Sequence, residues 1–468
     1  MPLPESALSP DEVAAHLAEL RRDDPPVHGG RVMAYVYDAG REDAGHAGRE
    51  ALAAFGEVNA LDPLTFPSVA RLENDLVAWA LDLVQGASDA VGTVTSGGSE
   101  TCILAALAAR EGWRSRGLSG RATIILAETA HPAFIKAAHL LDMDVHVVPV
   151  ERVSMRLTSV AVASALREVG DAAALVVVSA PSYPHGVVDD IESIASLSQG
   201  AGVACHVDGC IGGVVLGVAR RMGWEVPAFD LAVPGVSSFG LDLHKYGFSP
   251  KGVSILLFAD TTYRSGTYFA YSAWPGYPLV NTTLQSTKPA APMAAAWATL
   301  AVLGTAGLDR AVTEALQATR HLADGIAGIP GIRVVGDPDA TLIALTGDDV
   351  DPFRIADYMR ERDWVLQPQP SLADLPRTLH LTVQPVSLAT VELFLSDLRA
   401  ATEAAARDDW ASAPEDLEAA FADLPDLTSG AGLPPRMAEV HALIDGLPSD
   451  IRDPALSAIF GALFTSRR

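Results

Sequence analysis

The stretch LDLHKYGFSPKG, residues 241–252, contains two of only four lysines in a chain of 468 residues. The others are Lys136 and Lys288, and the rest of the 33 basic residues are arginines. Arginine stays protonated in proteins, whereas a lysine amine can lose its proton and attack a carbonyl. Most lysines simply lie at a protein surface. In an arginine-rich chain, however, Lys245 and Lys251 are candidates for covalent chemistry.

The composition limits the class of protein. A hydrophobic content of 49% is typical of a compact globular chain. The net charge of −25 argues against binding to nucleic acid or to anionic membranes. Three cysteines without a CxxC pair favour a reducing compartment, and the N-terminal residues contain no apolar signal core. We therefore expect a cytoplasmic protein with no nucleic-acid or membrane partner.

Residues 289–308, PAAPMAAAWATLAVLGTAGL, carry no charge and are numerous enough to cross a membrane. The segment consists largely of alanine, threonine and glycine, and it begins with two prolines. This composition favours a helix buried in a soluble protein.

The middle of the chain alternates short apolar runs with helical patterns, which predicts an α/β fold with a mainly parallel sheet. The predicted strands are residues 122–128, 144–150, 174–181, 203–209 and 253–259. After about residue 305 the pattern changes to that of a smaller α+β domain. From about residue 411 the chain becomes acidic, contains glycine and proline breaks, and ends in amphipathic helical segments.

A Ser-Gly-Gly-Ser turn, Ser96, Gly97, Gly98 and Ser99, precedes a helical segment. The free amides at a helix start and the positive end of the helix favour an anion such as a phosphate. A glycine-rich turn before a helix is a weak signal by itself, because such turns are common.

Asp208 ends an apolar predicted strand, where a carboxylate needs a cationic or N–H partner. An N-cap or a metal ligand are the alternative roles. Zinc is disfavoured because strand alternation sends Cys205 and His206 to opposite faces, and we predict no metal site. The following glycines lack the G-x-G-x-x-G pattern, which disfavours a nicotinamide oxidoreductase.

Together these features match the needs of pyridoxal 5'-phosphate. This cofactor requires an amine for its aldehyde, an acid for its pyridine nitrogen and an anion site for its phosphate. Lys245, Asp208 and the Ser96–Ser99 turn would supply them.

The chain also resembles a known family in several ordered stretches. They are SGGSE (96–100), HPAFIKAAHLL (131–141), SAPSYPHGVVDDI (179–191), HVDGCIGG (206–213) and DLHKYGFSPKG (242–252). These stretches resemble the sphingosine-1-phosphate lyase family, in the group II decarboxylase branch of fold-type I (aspartate aminotransferase-like) pyridoxal phosphate enzymes. The likeness runs from about residue 30 to about residue 310.

The changes of sequence pattern and the resemblance together predict a domain arrangement. Residues 1–60 would form an N-terminal segment that contributes to a dimer and its active site. A large cofactor-binding domain would cover residues 61–305, a small α+β domain residues 306–405, and an acidic helical tail residues 406–468. The resemblance further implies a homodimer with shared active sites.

The resemblance also implies roles for single residues. Lys245 matches the Schiff-base lysine, Asp208 the partner of the pyridinium, and His131 the imidazole that stacks on the cofactor ring. The residues matching the remaining cofactor contacts are Ser96, Gly97, Gly98, Ser99, Cys210, His244, Ser286 and Thr287. Lys251 and Tyr37 match positions that approach the substrate.

Three segments depart from the family pattern and concern the substrate. Residues 33–37 read MAYVY, and Asp62 in NALDP stands where the family has a histidine. Lys288 in STKPA, residues 286–290, replaces an arginine in a loop that reaches the neighbouring subunit. Asp62 and Lys288 are therefore candidate substrate contacts, and a long-chain phosphorylated base need not be the substrate.

The implied function is a pyridoxal phosphate-dependent carbon–carbon lyase that cleaves a bond at Cα of an amino substrate in a retro-aldol reaction and releases an aldehyde. An amino-acid decarboxylase is the alternative, because both reactions use the same cofactor residues. A cofactor-binding regulator without turnover is a further alternative, which the retention of Lys245 and Lys251 disfavours.

Overall fold

The computed structural model describes residue 4, residues 6–408 and residues 436–464. About half of the predicted acidic tail, residues 409–435 and 465–468, lies outside the described residues.

A seven-stranded sheet forms the centre of the large α/β unit, in the order β1-β7-β6-β5-β4-β2-β3. Its strands are β1 (Val91–Thr95), β2 (Thr123–Ala127), β3 (Asp144–Val148), β4 (Ala173–Ser179), β5 (Ala204–Asp208), β6 (Ser238–Asp242) and β7 (Ser254–Phe258). The strands β2 to β6 pair in parallel, whereas β7 runs antiparallel to both β6 and β1. The predicted α/β fold with a mainly parallel sheet is confirmed. All five predicted strands are present, but β1 and β6 were not predicted from the sequence.

Helices cover both faces of this sheet and continue into the smaller unit. They are α1 (Pro10–Leu20), α2 (Glu42–Ala54), α3 (Pro67–Leu83), α4 (Gly98–Ser115), α5 (Ala133–Leu141), α6 (Ser159–Val169), α7 (Ile191–Gly200), α8 (Gly212–Arg221), α9 (Thr261–Ser265), α10 (Ala291–Ala327), α11 (Pro352–Arg360), α12 (Val391–Arg407), α13 (Ala438–Gly446) and α14 (Ser449–Leu463). The strands β2, β4, β6 and β7 are buried along their whole length, as expected for strands between helical layers, whereas the edge strand β3 is partly exposed.

A four-stranded antiparallel sheet, ordered β10-β11-β13-β12, forms the smaller α+β unit. Its strands are β10 (Ile332–Val334), β11 (Leu342–Gly347), β12 (Gln367–Gln369) and β13 (Thr378–Thr382). Its core includes Trp364, whose ring meets Phe394 edge to face at 4.9 Å. The N-terminal segment joins this unit, because Val32 bridges Val365 in parallel.

The uncharged segment begins α10, which is long and apolar enough to cross a membrane by length and composition. Met293, Ala296, Thr299 and Leu303 are buried against the rest of the chain, whereas Trp297 and Val302 are exposed, so one side of the helix is buried. The helix is interrupted at Gly304, whose φ of 58° is accessible to glycine at little cost. The predicted boundary between the two domains falls beside this interruption and stays a prediction.

A hairpin of β8 (Phe269–Tyr271) and β9 (Leu279–Asn281) follows α9 and precedes α10 in the chain. Its aromatic side chains Phe269, Tyr271, Trp274 and Tyr277 are exposed. Large exposed apolar patches commonly mark surfaces that meet another molecule.

Candidate active site

A cavity of about 200 Å³ opens at the C-terminal edge of the large sheet. The ends of β4, β5 and β6 supply Ser179, Asp208 and Asp242, and the turn after β6 supplies His244 and Lys245. The remaining lining residues are Gly98, Ser99, Cys102, His131, Pro181, Tyr183, Cys210 and Ile211. Parallel strands bring their carboxyl ends to one edge, so residues distant in sequence converge here.

The start of α4 forms one wall of the cavity. Gly98 and Ser99 line it, and the first amides of a helix have no partner within the helix. A Cβ built on Gly98 would lie 3.1 Å from the Cys210 sulfur and 3.0 Å from an oxygen of Asp242, so only glycine fits without displacement. The amide of Ser96, in contrast, already donates to the buried Glu100 carboxylate at 2.6 Å. The backbone amides of Gly98 and Ser99 are therefore better candidates for binding an anion than the amide of Ser96.

Lys245 forms an ion pair inside the cavity. Its Nζ lies 3.0 Å from Oδ2 of Asp242, whose side chain is 2% exposed. Burial by itself lowers the pKa of the Lys245 amine, but the Asp242 charge raises it, and the pKa lies well above its usual value. His244 Nε2 is 3.8 Å from the same oxygen, while its Nδ1 contacts the Val253 carbonyl at 2.8 Å.

Asp208 lies at another part of the cavity wall and accepts a hydrogen bond from the Cys210 amide at 3.1 Å. His131 lines the cavity as well, and its Nδ1 accepts from the Ala133 amide at 3.2 Å. In a neutral His131 ring the proton must therefore be on Nε2. Burial raises the pKa of the Cys210 thiol well above its usual value, which keeps this side chain neutral.

Lys251 and Tyr37 are neighbours beside the cavity. The Lys251 amine lies 4.7 Å from the centre of the Tyr37 ring and donates to the carbonyls of Tyr35 and His244 at 3.1 and 3.3 Å. More than a third of the Lys251 residue surface is exposed, but loss of water around its amine and, next, the charge of Lys245 lower the pKa of Lys251 to about 8. Burial raises the pKa of Tyr37 to about 12. The site thus holds one amine that can be neutral near pH 8 and a phenol that stays protonated.

Two functional candidates were missed by sequence reasoning. Asp242 stands three residues before Lys245. A carboxylate that pairs with an amine has no recognisable sequence motif, so this contact could not be predicted. Tyr183 lines the cavity, stacks on His380 at 4.2 Å, and donates from its hydroxyl to Gln367 at 2.5 Å. Its contacts come from the smaller unit, so no local signal in the sequence could reveal them.

Eight predicted site residues are not among those that line this cavity. Ser96 and Gly97 directly precede the lining residue Gly98, and Tyr37 and Lys251 interact electrostatically with Lys245. The other four are Asp62, Ser286, Thr287 and Lys288. The carboxylate of Asp62 accepts from the Leu64 amide and the Thr65 hydroxyl, both at 2.9 Å, and shapes the turn before α3. Lys288 is 7% exposed and donates to Glu73 at 2.8 Å and to the Val94 carbonyl at 3.1 Å. Asp62, Ser286 and Lys288 instead line a separate cavity of about 890 Å³. The predicted role of Asp62 as a substrate contact and that of the 286–290 loop across a subunit boundary stay predictions.

The cavity residues fit pyridoxal phosphate. An amine, a carboxylate at the end of a neighbouring strand, an imidazole and a helix start that favours an anion surround one space. Oδ1 of Asp242 is buried without a hydrogen bond among the described residues, so the cavity is polar at its base. Lys245 would hold the aldehyde, Asp208 the ring nitrogen, and Gly98, Ser99 and His244 the phosphate.

Comparison with known proteins agrees with this geometry. Residues 36–346 match the model of the pyridoxal-dependent decarboxylase conserved domain. A sphingosine-1-phosphate lyase of Oryza sativa subsp. japonica is 34% identical over 79% of this chain and 68% of its own length. The L-aspartate decarboxylase of Thermococcus kodakarensis is 27% identical over 85% of this chain and 98% of its own length.

A solved structure of a sphingosine-1-phosphate lyase from Burkholderia pseudomallei is also similar. It superimposes with a TM-score of 0.82 at 31% identity and covers 92% of this chain and 98% of its own. The convergence of Lys245, Asp208 and the start of α4 on one cavity gives these similarities a chemical basis. The chain belongs to the pyridoxal-dependent decarboxylase family, within its sphingosine-1-phosphate lyase group, and is a pyridoxal phosphate-dependent lyase.

Proposed function

We propose that this lyase cleaves the bond between Cα and a hydroxyl-bearing Cβ of an amino substrate and releases an aldehyde. The observation that carries the proposal is the position of the Lys251 amine against Tyr37, with its pKa lowered to about 8 beside Lys245. A retro-aldol cleavage needs a base for the β-hydroxyl proton, which a decarboxylation does not need. The names of the lyase relatives support the same reaction.

Lys251 in its neutral form accepts the hydroxyl proton. The electrons of the O–H bond then form the carbonyl of the aldehyde, the Cα–Cβ bond breaks, and its electron pair remains on Cα. When bound, pyridoxal phosphate supplies a conjugated ring that delocalises this pair. Asp208 favours a proton on the ring nitrogen by ion pairing. Tyr37 keeps its own proton and can orient the substrate hydroxyl by hydrogen bonding.

A phosphorylated β-hydroxy amine is the substrate class that the lyase relatives suggest. The departures at Asp62 and Lys288 fall in the segments expected to face the substrate, and Lys288 already pairs with Glu73. The length of the substrate chain is therefore the property in which we expect this protein to differ from its relatives.

Amino-acid decarboxylation is the second candidate, favoured by the archaeal decarboxylase relative that this chain covers almost completely. Both reactions leave an electron pair on Cα. They differ in the bond that breaks, which leads to Cβ in the retro-aldol cleavage and to the carboxylate carbon in the decarboxylation.

One experiment separates the candidates. The purified protein with pyridoxal phosphate is given phosphorylated β-hydroxy amines and, separately, amino acids, and aldehyde and CO₂ are followed by mass spectrometry. We expect aldehyde from the first set and no CO₂ from the second. The Lys245→Ala variant serves as the blank. Release of CO₂ without aldehyde would establish the decarboxylase instead.

We further propose a cytoplasmic homodimer. The exposed aromatic side chains of the β8–β9 hairpin offer a surface for a second subunit. Cys102, Cys205 and Cys210 are all buried and free, which suits a reducing compartment.

A further inference from the structure

Asp242 is a buried carboxylate for which the proposed reaction gives no role. It ends β6, and Oδ2 contacts the Lys245 nitrogen at 3.0 Å across the following turn. The Lys245 amide also donates to the Asp242 carbonyl at 3.3 Å, so backbone and side chain hold the two residues together. Asp242 therefore touches the atom that reacts with the cofactor aldehyde.

The surroundings of Asp242 make Lys245 its principal charge partner. Its side chain is 2% exposed, and Oδ1 forms no hydrogen bond among the described residues. The positive start of α4 lies against it, because a Cβ on Gly98 would sit 3.1 Å from Oδ1. The imidazole of His244 is 3.8 Å away, and burial lowers its pKa. Lys251 is a further cation whose charge acts on Asp242, but the ion-pair contact of 3.0 Å is made by Lys245. A buried carboxylate without its cation is strongly disfavoured.

We propose that Asp242 keeps the nitrogen of Lys245 positively charged, both as the free ammonium and in the C=N linkage that this nitrogen forms with the cofactor aldehyde. When the linkage forms, the ammonium gives two protons to the aldehyde oxygen, which leaves as water. The nitrogen would retain one proton and its charge, for which Asp242 would be the neighbouring carboxylate. A protonated C=N group is the form that a substrate amine attacks readily, so Asp242 prepares the linkage for exchange with substrate.

Other charged and titratable groups face the same nitrogen. Cys210, Tyr37 and Asp208 also favour a positive charge on it, and Lys251 opposes one. Burial is the largest single influence and raises the pKa of Asp242, but the charges of Lys245 and His244 together with hydrogen bonding outweigh it, and the net pKa is lowered. Lys245 and Asp242 thus remain ionised together. Asp242 differs from the other acids of the cavity because it contacts the Lys245 nitrogen directly.

The test is an absorbance titration of the protein loaded with pyridoxal phosphate, from about pH 6 to about pH 10. The protonated linkage absorbs in the visible and the neutral one in the near ultraviolet. We expect the wild-type protein to keep its visible band throughout. Asp242→Asn should lower the midpoint by about 1–3 pH units, the range for loss of an adjacent opposite charge. Asp242→Glu, which keeps the charge, should retain the visible band.

Asp208→Asn is the matched control, because it changes a second carboxylate of the same cavity that does not contact Lys245. It should move the midpoint much less than Asp242→Asn does. Equal shifts in the two variants, or a wild-type titration in Asp242→Asn, would overturn the proposal.

A second measurement covers the case in which Asp242→Asn fails to fold or to take up the cofactor. Nitrogen-15 labelling of lysine gives few signals, because the chain contains four lysines. In the loaded wild-type protein the Lys245 signal should be that of a protonated C=N nitrogen at every pH of the titration. A neutral nitrogen at about pH 8 would contradict the role of Asp242 irrespective of the variants. Neither measurement depends on which substrate is cleaved.

Discussion

At the scale of single residues, two carboxylates of the site differ in their contacts. Asp208 accepts from a backbone amide at the end of β5, whereas Asp242 pairs directly with the Lys245 amine at the end of β6. The two strands are adjacent and parallel, so both side chains reach the same cavity. We assign Asp208 to the ring nitrogen of the cofactor and Asp242 to the reacting lysine nitrogen.

Changing Asp208 to Asn should preserve cofactor binding and reduce kcat by about 10²-fold or more, equivalent to about 3 kcal/mol of barrier. The amide can still accept from Cys210, but it cannot favour a proton on the pyridine nitrogen. Steady-state kinetics and the absorbance of the bound cofactor measure the two effects separately. Turnover close to wild type would assign Asp208 to a structural role.

The lowered pKa of Lys251 predicts a pH dependence. The neutral amine is the reactive base and becomes the main form above about pH 8, so kcat/KM should rise with pH up to that value and then level off. Lys251→Arg keeps the charge but holds its proton, and should lower kcat by about 10²-fold to 10⁴-fold. Lys136→Arg, on the exposed surface of α5, is the control and should be neutral. An unchanged profile in Lys251→Arg would remove Lys251 from the mechanism.

At the scale of secondary-structure elements, α13 is joined to the loop between β12 and β13. Asp445 accepts from the amide and hydroxyl of Ser371 and from Arg377 Nε at 2.6 Å. The same loop carries Asp374, which pairs at 2.7 Å with Arg152 on the large unit. The described part of the C-terminal tail therefore supports a loop that spans the two units.

Asp445→Asn should lower the free energy of unfolding by about 2 kcal/mol, the usual cost of losing hydrogen bonds to a buried charged acceptor. It should also make residues 371–376 more sensitive to limited proteolysis, because the loop loses its anchor. Denaturant unfolding and peptide mapping would measure the two effects. Asp450→Asn, at an exposed position, is the matched control. If both variants behave alike, the tail contributes nothing to that loop.

At the scale of the whole molecule, the segment of residues 282–288 joins the β8–β9 hairpin to α10. Within the chain, Lys288 is buried and satisfied by Glu73 and Val94. A role in a neighbouring subunit would require this ammonium, or the backbone around it, to contact the partner's site. The exposed hairpin immediately before the segment is where such a subunit would pack.

Co-expression of a Lys245→Ala chain with a Lys288→Ala chain tests the shared site. If Lys288 acts across the interface, each hybrid dimer has one intact site, and random assembly should restore roughly a quarter of wild-type activity. Each variant expressed alone should be inactive, and light scattering should give the mass of a dimer. An inactive mixture that contains hybrid dimers would show that Lys288 serves only its own chain. Full activity of Lys288→Ala would show that it serves neither.

The sequence by itself determined the fold class and the centre of the site. Short apolar runs that alternate with helical patterns indicate strands buried between helices, because such strands must be apolar on both faces. Lys245, Asp208 and the Ser96–Ser99 turn could be found because a rare lysine, a strand-end carboxylate and a glycine turn are local features that together match the needs of one cofactor. The strands β1 and β6 escaped prediction, since VGTVT and SFGLD are short and contain glycine and polar residues.

Only the tertiary structure decided which of these residues meet. Asp242 became the partner of Lys245 through the geometry of a turn, and Tyr183 became a cavity residue through contacts with the smaller unit. Asp62 and Lys288 look like substrate contacts in the sequence, yet a turn and Glu73 already satisfy their charges within the chain. A charge in a sequence has no partner until the chain folds, because ion pairs act over a few ångströms between positions that can lie hundreds of residues apart.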